Sequence, residues 1–360
     1  MTDTRDWRPL EGVIILDLSR MLPGGTATLL LADLGATVHK VEHPNGDETR
    51  HLQPSVGDDS SVQHQYLDRG KCSHLIDLKT PEGVAQVLEL ARTADAVIES
   101  FRPGVAAKLG IGHADVSKVN DRILYLSLSG YGQSGARAQF AGHDLNFEAL
   151  ASLAGTTPPR AMHADVAGGM LAALAITAGV AHARATGEGR HVDVSLMDAA
   201  LFTAGMPLSE EFGSMSLEEP VRTPLDGKSP CYRTYECSDG RYLAVAAIES
   251  KFWLNITALI GRPEWAWRQS DPALIPEIEA LFATRARNEW VELLDSEETC
   301  VTPVRASSEL LGDSGLLERG SLEQRPTPAG PLWQVASPFV VTTEPAQSMT
   351  QAVNKEQTNA

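Results

Sequence analysis

Gly142-His143-Asp144-Leu145-Asn146-Phe147 sets an imidazole beside a carboxylate, and a second carboxylate, Asp165, follows 22 residues after His143 in Ala164-Asp165-Val166-Ala167-Gly168-Gly169. Imidazole and carboxyl groups are side chains suited to moving a proton on and off carbon, each worth on the order of 10²–10⁴-fold in rate when well placed. Two bases on opposite faces of a carbon acid can remove a proton from one side and return one to the other, inverting the centre. Taken singly, the residues have plainer readings. A His before an Asp commonly caps a helix or satisfies a core, and Asp165, ahead of a long small-residue segment, reads as an N-cap.

The elements that must position these groups are legible in outline. The apolar run 13–18 and the segments 37–42, 96–99, 123–128 and 191–196 read as strands. A Pro23-Gly24-Gly25 turn leads into a helix over 26–34, Thr80-Pro81-Glu82 opens another to about residue 94, and the small apolar stretch 167–185 predicts a buried helix. Strand–helix alternation of this kind predicts an α/β fold: a large Rossmann-like domain with a parallel sheet and helices on both faces. The Gly-, Pro-, Ser- and Glu-rich stretch 205–228 reads as a crossover between domains. Ser238-Asp239-Gly240 between two alternating segments predicts a hairpin over 232–246, followed by helices over 251–294. The expected division is a large domain over 1–205, with 320–360 returning to it, and a smaller α+β domain over 206–319. From about Glu344 the chain is polar and expected to fray.

Composition narrows the function classes. The 42% hydrophobic and 21% charged content is that of an ordinary globular protein with a sizeable core. No run of 18 or more apolar residues suggests a membrane span, and the polar start Met1-Thr2-Asp3-Thr4-Arg5-Asp6-Trp7 lacks a signal peptide's apolar segment, so a cytoplasmic location is expected. Cys72, Cys231, Cys237 and Cys300 form no Cys-x2-Cys pair, so neither a zinc site nor a disulfide framework is expected. A net charge of −17 argues against nucleic acid and anionic membranes as partners. Any anionic ligand must therefore meet a local cluster of cations.

Gly130-Tyr131-Gly132-Gln133-Ser134-Gly135 fits the dinucleotide pattern G-x-G-x-x-G after a predicted strand. The segment that follows reaches Gly142 too soon for a crossover helix, and no acid ends a strand at the required distance. These glycines are expected to turn the backbone tightly beside the site instead.

The order of motifs resembles the family III CoA-transferases (CaiB/BaiF type) and, within them, the α-methylacyl-CoA racemases. The landmarks are Leu31-Ala32-Asp33-Leu34-Gly35-Ala36, Ile76-Asp77-Leu78-Lys79, Phe101-Arg102-Pro103-Gly104, Leu128 to Gly135, Gly142-His143-Asp144, Ala164-Asp165, and Tyr235 to Tyr242; they span roughly residues 10–304. The resemblance implies a fatty-acid or other lipid-metabolising isomerase, a racemase or epimerase that inverts the α-carbon of a 2-methylacyl-CoA thioester through an enolate. His143 and Asp165 would be its two bases. The CoA moiety belongs to the substrate, and neither a cofactor nor a metal is implied. Asp144 would correspond to the nucleophile of the transferase branch, which makes a CoA-transferase the alternative activity, with an idle acyl-CoA-binding relative as a third class.

For CoA itself the resemblance implies contacts at His43, Ile76, Asp77, Leu78, Lys79, Ser100, Arg102 and Lys108, and along Gly142, His143, Asp144, Leu145, Asn146 and Phe147. Lys79, Arg102 and Lys108 would supply the local cations. Two positions depart from the racemase pattern, His43 where Arg is common and Phe147 where Tyr is common. The resemblance further implies an interlocked homodimer, with Glu249 supporting the site from the smaller domain of either subunit.

Overall fold

The computed structural model describes residues 7–57, 59–155, 160–217, 224–296 and 298–340; the polar tail after Glu344 lies outside them. Contacts divide the chain into two compact units, Met1–Gly205 with Gly320–Ala360, and Met206–Arg319.

Six parallel strands run through the larger unit: β1 (Ile14–Leu18), β2 (Thr37–Glu42), β3 (Cys72–Leu75), β4 (Ala96–Glu99), β5 (Leu124–Ser129) and β6 (Arg190–Ser195), in spatial order β3-β2-β1-β4-β5-β6. Every residue of β4 and β5 is buried, as expected of central strands covered on both faces. The two-residue pleat sorts the core. Ile15, Val38, Ile98 and Leu126 face one layer with α1 (Met21–Asp33) and α4 (His163–Thr186). Leu16, Val41, Val97 and Tyr125 face the other, with Val87 and Ala91 of α2 (Pro81–Ala91). Two shorter helices complete this unit's set near the site, α3 (Asp144–Leu150), before α4, and α5 (Leu196–Thr203), after β6.

Strand order reverses between β1 and β4, and the loops leaving their carboxyl ends diverge to open a crevice, the usual ligand position in such sheets. The second strand and the fourth fall at the residues expected from the sequence, and the others shift by a residue or so. β3 is an addition to the expected strands, because Cys-Ser-His-Leu is a short, largely exposed edge segment without apolar alternation.

The elements differ from expectation in three places. The Pro23-Gly24-Gly25 turn is the first turn of α1, which starts at Met21 rather than near residue 26; proline is tolerated there because its missing N–H would have no helical partner. A second difference is an addition: within the crossover segment 205–228, Gly205–Ser214 forms a helix, α6, that the sequence reading did not name. Third, α4 is not buried all round. At 24 residues it is long and apolar enough by length and composition to cross a membrane, but it packs one face on α1 and the sheet through Ala172, Ile176 and Val180 and exposes Val166, Met170 and Leu174 on another.

In the smaller unit, β7 (Tyr232–Glu236) and β8 (Tyr242–Ala246) form the expected antiparallel hairpin, and β9 (Val301–Pro303) extends it to three strands. Helices α7 (Ser250–Leu259), α8 (Ile275–Phe282) and α9 (Arg287–Leu294) bury Trp253, Phe282 and Trp290 against Tyr235. In the returning segment of the larger unit, β10 (Leu322–Arg325) pairs with β11 (Leu332–Val335). Arg69 ties that hairpin down, donating from Nη1 to the Val335 carbonyl at 3.1 Å and from Nη2 to Asp33 Oδ2 at 2.6 Å. All four cysteines are free.

The α1–α4 contact fixes where the long helix begins. A Cβ on Gly169 would lie 2.5 Å from the Pro23 carbonyl oxygen and 2.8 Å from Thr26 Cβ, so only glycine fits without moving backbone. Gly169→Val is expected to destabilise the larger unit by roughly 1–3 kcal/mol through overpacking. A fall in the urea-unfolding midpoint, with Gly169→Ala intermediate, checks this.

Candidate active site

The crevice at the carboxyl ends of β1 to β4 holds a cavity of about 430 Å³. Leu18 and Arg20 contribute from β1, Glu42 and His43 from β2, Ile76, Asp77, Leu78 and Lys79 from β3, and Ser100, Phe101 and Arg102 from β4. A second cavity of about 220 Å³ shares Ser100, Phe101 and Arg102 and continues to Ser129, Gly130, Gly142 and His143 at the end of β5. The two form one trough, cationic and apolar at the outer end and ending at an imidazole.

Among the described residues neither Lys79 nor Arg102 has an ion-pair partner, while the carboxylates that share the cavity are Glu42, paired with Arg50, and Asp77, which accepts the Lys79 N–H. The His43 ring is oriented by its own turn, Nδ1 accepting from the Asn45 N–H at 3.1 Å. Arg20, not singled out from the sequence, borders the same cavity, with its guanidinium 5.7 Å from the Phe101 ring centre. Its backbone N–H donates to Ser100 Oγ at 2.9 Å, which joins the loops after β1 and β4.

The residues from 142 to 147 separate into different roles. His143 holds the N-cap position of α3, its N–H donating to Asn146 Oδ1 at 3.0 Å. Its imidazole is exposed at the trough and has no hydrogen-bond partner among the described residues. Phe147 is 1% exposed, packed edge-on against Tyr131 beneath Gly130 and Gly142, so it shapes the wall from behind rather than touching a ligand. Leu145, Asn146 and Lys108 line neither cavity. The glycine-rich loop bends at Gly132 and Gly135, with φ of 83° and 96°, and Asp193 Oδ2 pins it by accepting from the Gln133 N–H at 2.8 Å. No helix opens before Asp144, so the dinucleotide arrangement is not built.

Asp144, the first residue of α3, turns its carboxylate onto the start of α4 and accepts the Asp165 N–H at 2.9 Å. Asp165 sits in the first turn of α4, after Met162 as N-cap, rather than capping the helix itself. One turn along α3, Glu148 is fully buried, and its Oε1 accepts from the His163 N–H and contacts His163 Nδ1, both at 3.0 Å. Three carboxyl groups thus gather at one helix terminus beside His143. Burial pushes the Asp165 carboxyl up to about 7, with the charges of Asp144 and Glu148 adding to the rise. Burial also raises Asp144, opposed by the N–H groups of Asp165 and Ala164 and reinforced by Glu148.

Glu148 and His163 were not legible as site residues from sequence. The usable signal was the i, i+4 spacing of Asp144 and Glu148, which puts two acids on one face of α3. Glu249 stands exposed at the N-cap of α7 in the smaller unit. Among the described residues no cluster of three or more potential ligands could hold a metal.

Comparison with known proteins places this geometry. The sequence pattern of CoA-transferase family III matches residues 10–353. Human α-methylacyl-CoA racemase is 32% identical over 328 residues, covering 87% of this chain and 82% of the racemase. Succinate–glutarate CoA-transferase of Agrobacterium fabrum is 30% identical over 348 residues, 89% of this chain and 86% of that one. The crystal structure of a CAIB/BAIF family protein from Brucella suis superposes with a TM-score of 0.78 over 97% of this chain and 99% of that one, at 24% identity, and so shares the fold.

An Asp held at about 7 rather than the usual 3.8 carries a pH signature in stability. The folded state keeps a proton that the unfolded chain releases, so this contribution is full at about pH 4 and is lost as pH rises through 7. Each tenfold gain in proton affinity corresponds to about 1.4 kcal/mol. Asp165→Asn is therefore expected to be more stable than wild type by roughly 2–4 kcal/mol at about pH 8, and nearly equal at about pH 4. Urea midpoints at the two pH values test it, and equal differences at both would contradict the raised carboxyl.

Proposed function

The chain belongs to CoA-transferase family III and is an enzyme of that superfamily; from that premise we propose that it is a racemase of 2-methylacyl-CoA thioesters. The observation that carries this reading is an unencumbered imidazole at the end of the trough, next in sequence to Asp144, whose carboxylate holds the N–H of Asp165, a carboxyl group pushed up to about 7 that itself lines neither cavity. Abstraction of an α-proton needs a neutral imidazole or an ionised carboxylate on one face and a protonated partner on the other. At about pH 7 Asp165 populates both forms, so it serves as acid for one enantiomer and as base for the other.

The CoA portion fits the outer trough. Lys79 and Arg102 offer unpaired cations for its phosphates, which matters in a chain of net charge −17. The acyl thioester then extends past Ser100 toward Ser129 and His143. The first turn of α4 presents N–H groups, but Asp144 and Glu148 already occupy those of Asp165 and His163, so the enolate oxygen must find its donors elsewhere along the trough.

The alternative, a CoA-transferase, has Asp144 attacking the thioester and is favoured by the presence of that carboxylate beside His143. Against it, Asp144 is only 8% exposed and spends one oxygen on the Asp165 N–H.

A homodimer is part of the proposal. Leu174 and Phe202 are 64% and 74% exposed beside an apolar groove lined by Leu171, Ala175, Ala178 and Val194, and a second copy would cover this face.

Incubation with one enantiomer of a 2-methylacyl-CoA in D2O is expected to give α-deuteration with loss of chirality and no need for an acceptor acid. Transfer of CoA to an added carboxylate without exchange would replace this reading by the alternative. His143→Ala is expected to cut exchange by on the order of 10²–10⁴-fold while CoA-ester binding persists. For the CoA anchor, Arg102→Ala should weaken CoA binding about tenfold or more in titration calorimetry, and the gap should narrow as salt is added.

A further inference from the structure

Glu148 is the buried group that the proton-transfer scheme leaves unused. Its side chain is fully buried, its Oε1 is taken by the backbone N–H and ring of His163, and its Oε2 receives no N–H or hydroxyl donor among the described residues, its one side-chain neighbour within hydrogen-bonding reach besides His163 being the Asp144 carboxyl. A buried carboxylate oxygen without a donor is costly, on the order of 1–3 kcal/mol or more. Capping the His163 N–H accounts for one oxygen but not for a full carboxylate, since a neutral Gln would supply the same acceptor. The position is also specific. Glu148 lies one turn from Asp144 on the same face of α3, and both reach the first turn of α4, where Asp165 stands.

We propose that Glu148 is a positioning residue for proton transfer at Asp165: its buried charge, anchored by His163, holds Asp165 in the proton-carrying form from which it can act as acid. The proposal rests on the reading of Asp165 as one of the two bases and adds what sets its proton occupancy. Glu148 touches no substrate; it acts through Asp165, both directly and through Asp144, which the two flank.

The charged groups around Asp165 can be followed element by element. α3 supplies Asp144 and Glu148, the two charges that raise it. Its own helix supplies His163 in the first turn and, at the far end, His182 and Arg184, the latter paired with Asp95. α1, packed along α4, carries only Asp33 at its end, bound to Arg69. α5 carries Asp198, which accepts from Ser195 Oγ. Beneath α4, β5 carries Tyr125, which donates to the Ile111 carbonyl, and β6 carries Arg190, His191 and Asp193, engaged with Glu188, Ser127 and the Gln133 N–H. The ring of His163, in the same first turn, is engaged with Glu148 rather than with Asp165.

The test reads Asp165 without relying on turnover. Protein labelled with ¹³C at aspartate carboxyls is titrated by NMR, with the Asp165 signal assigned by its loss in Asp165→Asn. Glu148→Gln keeps the shape and an acceptor for the His163 N–H but removes the charge, and the Asp165 midpoint is expected to fall by about one pH unit. His163→Ala removes the ring contact but keeps the backbone donor, so the charge stays buried with less compensation, and the midpoint is expected to rise. A purely structural role for the Glu148–His163 bond would make the two variants alike, and an unmoved midpoint in Glu148→Gln overturns the proposal. Should Glu148→Gln fail to fold, a midpoint in His163→Ala that stays or falls overturns it equally. In exchange assays the limb of the pH profile that belongs to Asp165 is expected to move to lower pH in Glu148→Gln, while the other limb stays. Failure of the racemase reading would appear separately, as absence of α-exchange in the wild type whatever the titrations give.

Discussion

Capping of α4 by the carboxylates of α3 is the interaction on which the site depends. A helix N-terminus leaves its first N–H groups without partners. Here Asp144 takes that of Asp165 and Glu148 takes that of His163. The partial positive charge of the helix end favours the ionised forms of both acids. Burial disfavours them, and for Asp144 and Asp165 burial is the largest influence. The result is a group of three acids that cannot all ionise cheaply together. An arrangement that began as helix capping therefore yields a carboxyl group with its proton affinity near neutrality, in the same motif cluster as a free imidazole.

The sheet supplies the other half of the site. Strand order reverses between β1 and β4, so the loops after these strands part and leave the larger cavity at their carboxyl ends. The hydrogen bond from the Arg20 N–H to Ser100 Oγ holds those loops in register at the bottom of the gap. β5 then ends at Ser129 and Gly130, whose loop is pinned to β6 by Asp193, and this brings the 142–144 motif to the inner end of the trough. Phe147, packed from below on Tyr131, sets the height of that end. The position of His143 relative to the cations at residues 79 and 102 is thus decided by strand order and loop pinning more than by any contact of its own.

Much of this is readable in the sequence, and the misses share a cause. β2, with Val38 and Val41 among β-branched and polar residues, and the mostly apolar β4 emerge at the expected bounds. The hairpin around Ser238-Asp239-Gly240 carries its turn chemistry openly. β3 is not readable, because it gains its hydrogen bonds from β2 while its own residues stay largely exposed. The start of α1 is displaced because Pro and Gly signal a turn, whereas the close approach to Ser19 and to α4 demands small residues inside the helix. In the site, His143, Asp144 and Asp165 stand out by type and motif. Glu148 does not, because a glutamate in a short helix looks like a solvated charge until tertiary packing buries it. Phe147 errs the other way: adjacency in sequence to the motif suggests a ligand contact, but helical geometry turns it inward.

A fold shared by transferases and racemases must be steered to one reaction by small differences in proton affinity. A carboxylate nucleophile has to be ionised and open on the side of attack, whereas an acid that reprotonates an enolate has to arrive carrying its proton. Asp144 is capped onto Asp165 and nearly enclosed, and burial moves it away from the ionised state. Asp165 is more open and is held at about 7. Adding negative charge behind these two groups, as Glu148 does, penalises the nucleophile and loads the acid at the same time. On the proposed reading, one buried glutamate would bias both branches in the same direction, toward moving protons rather than acyl groups.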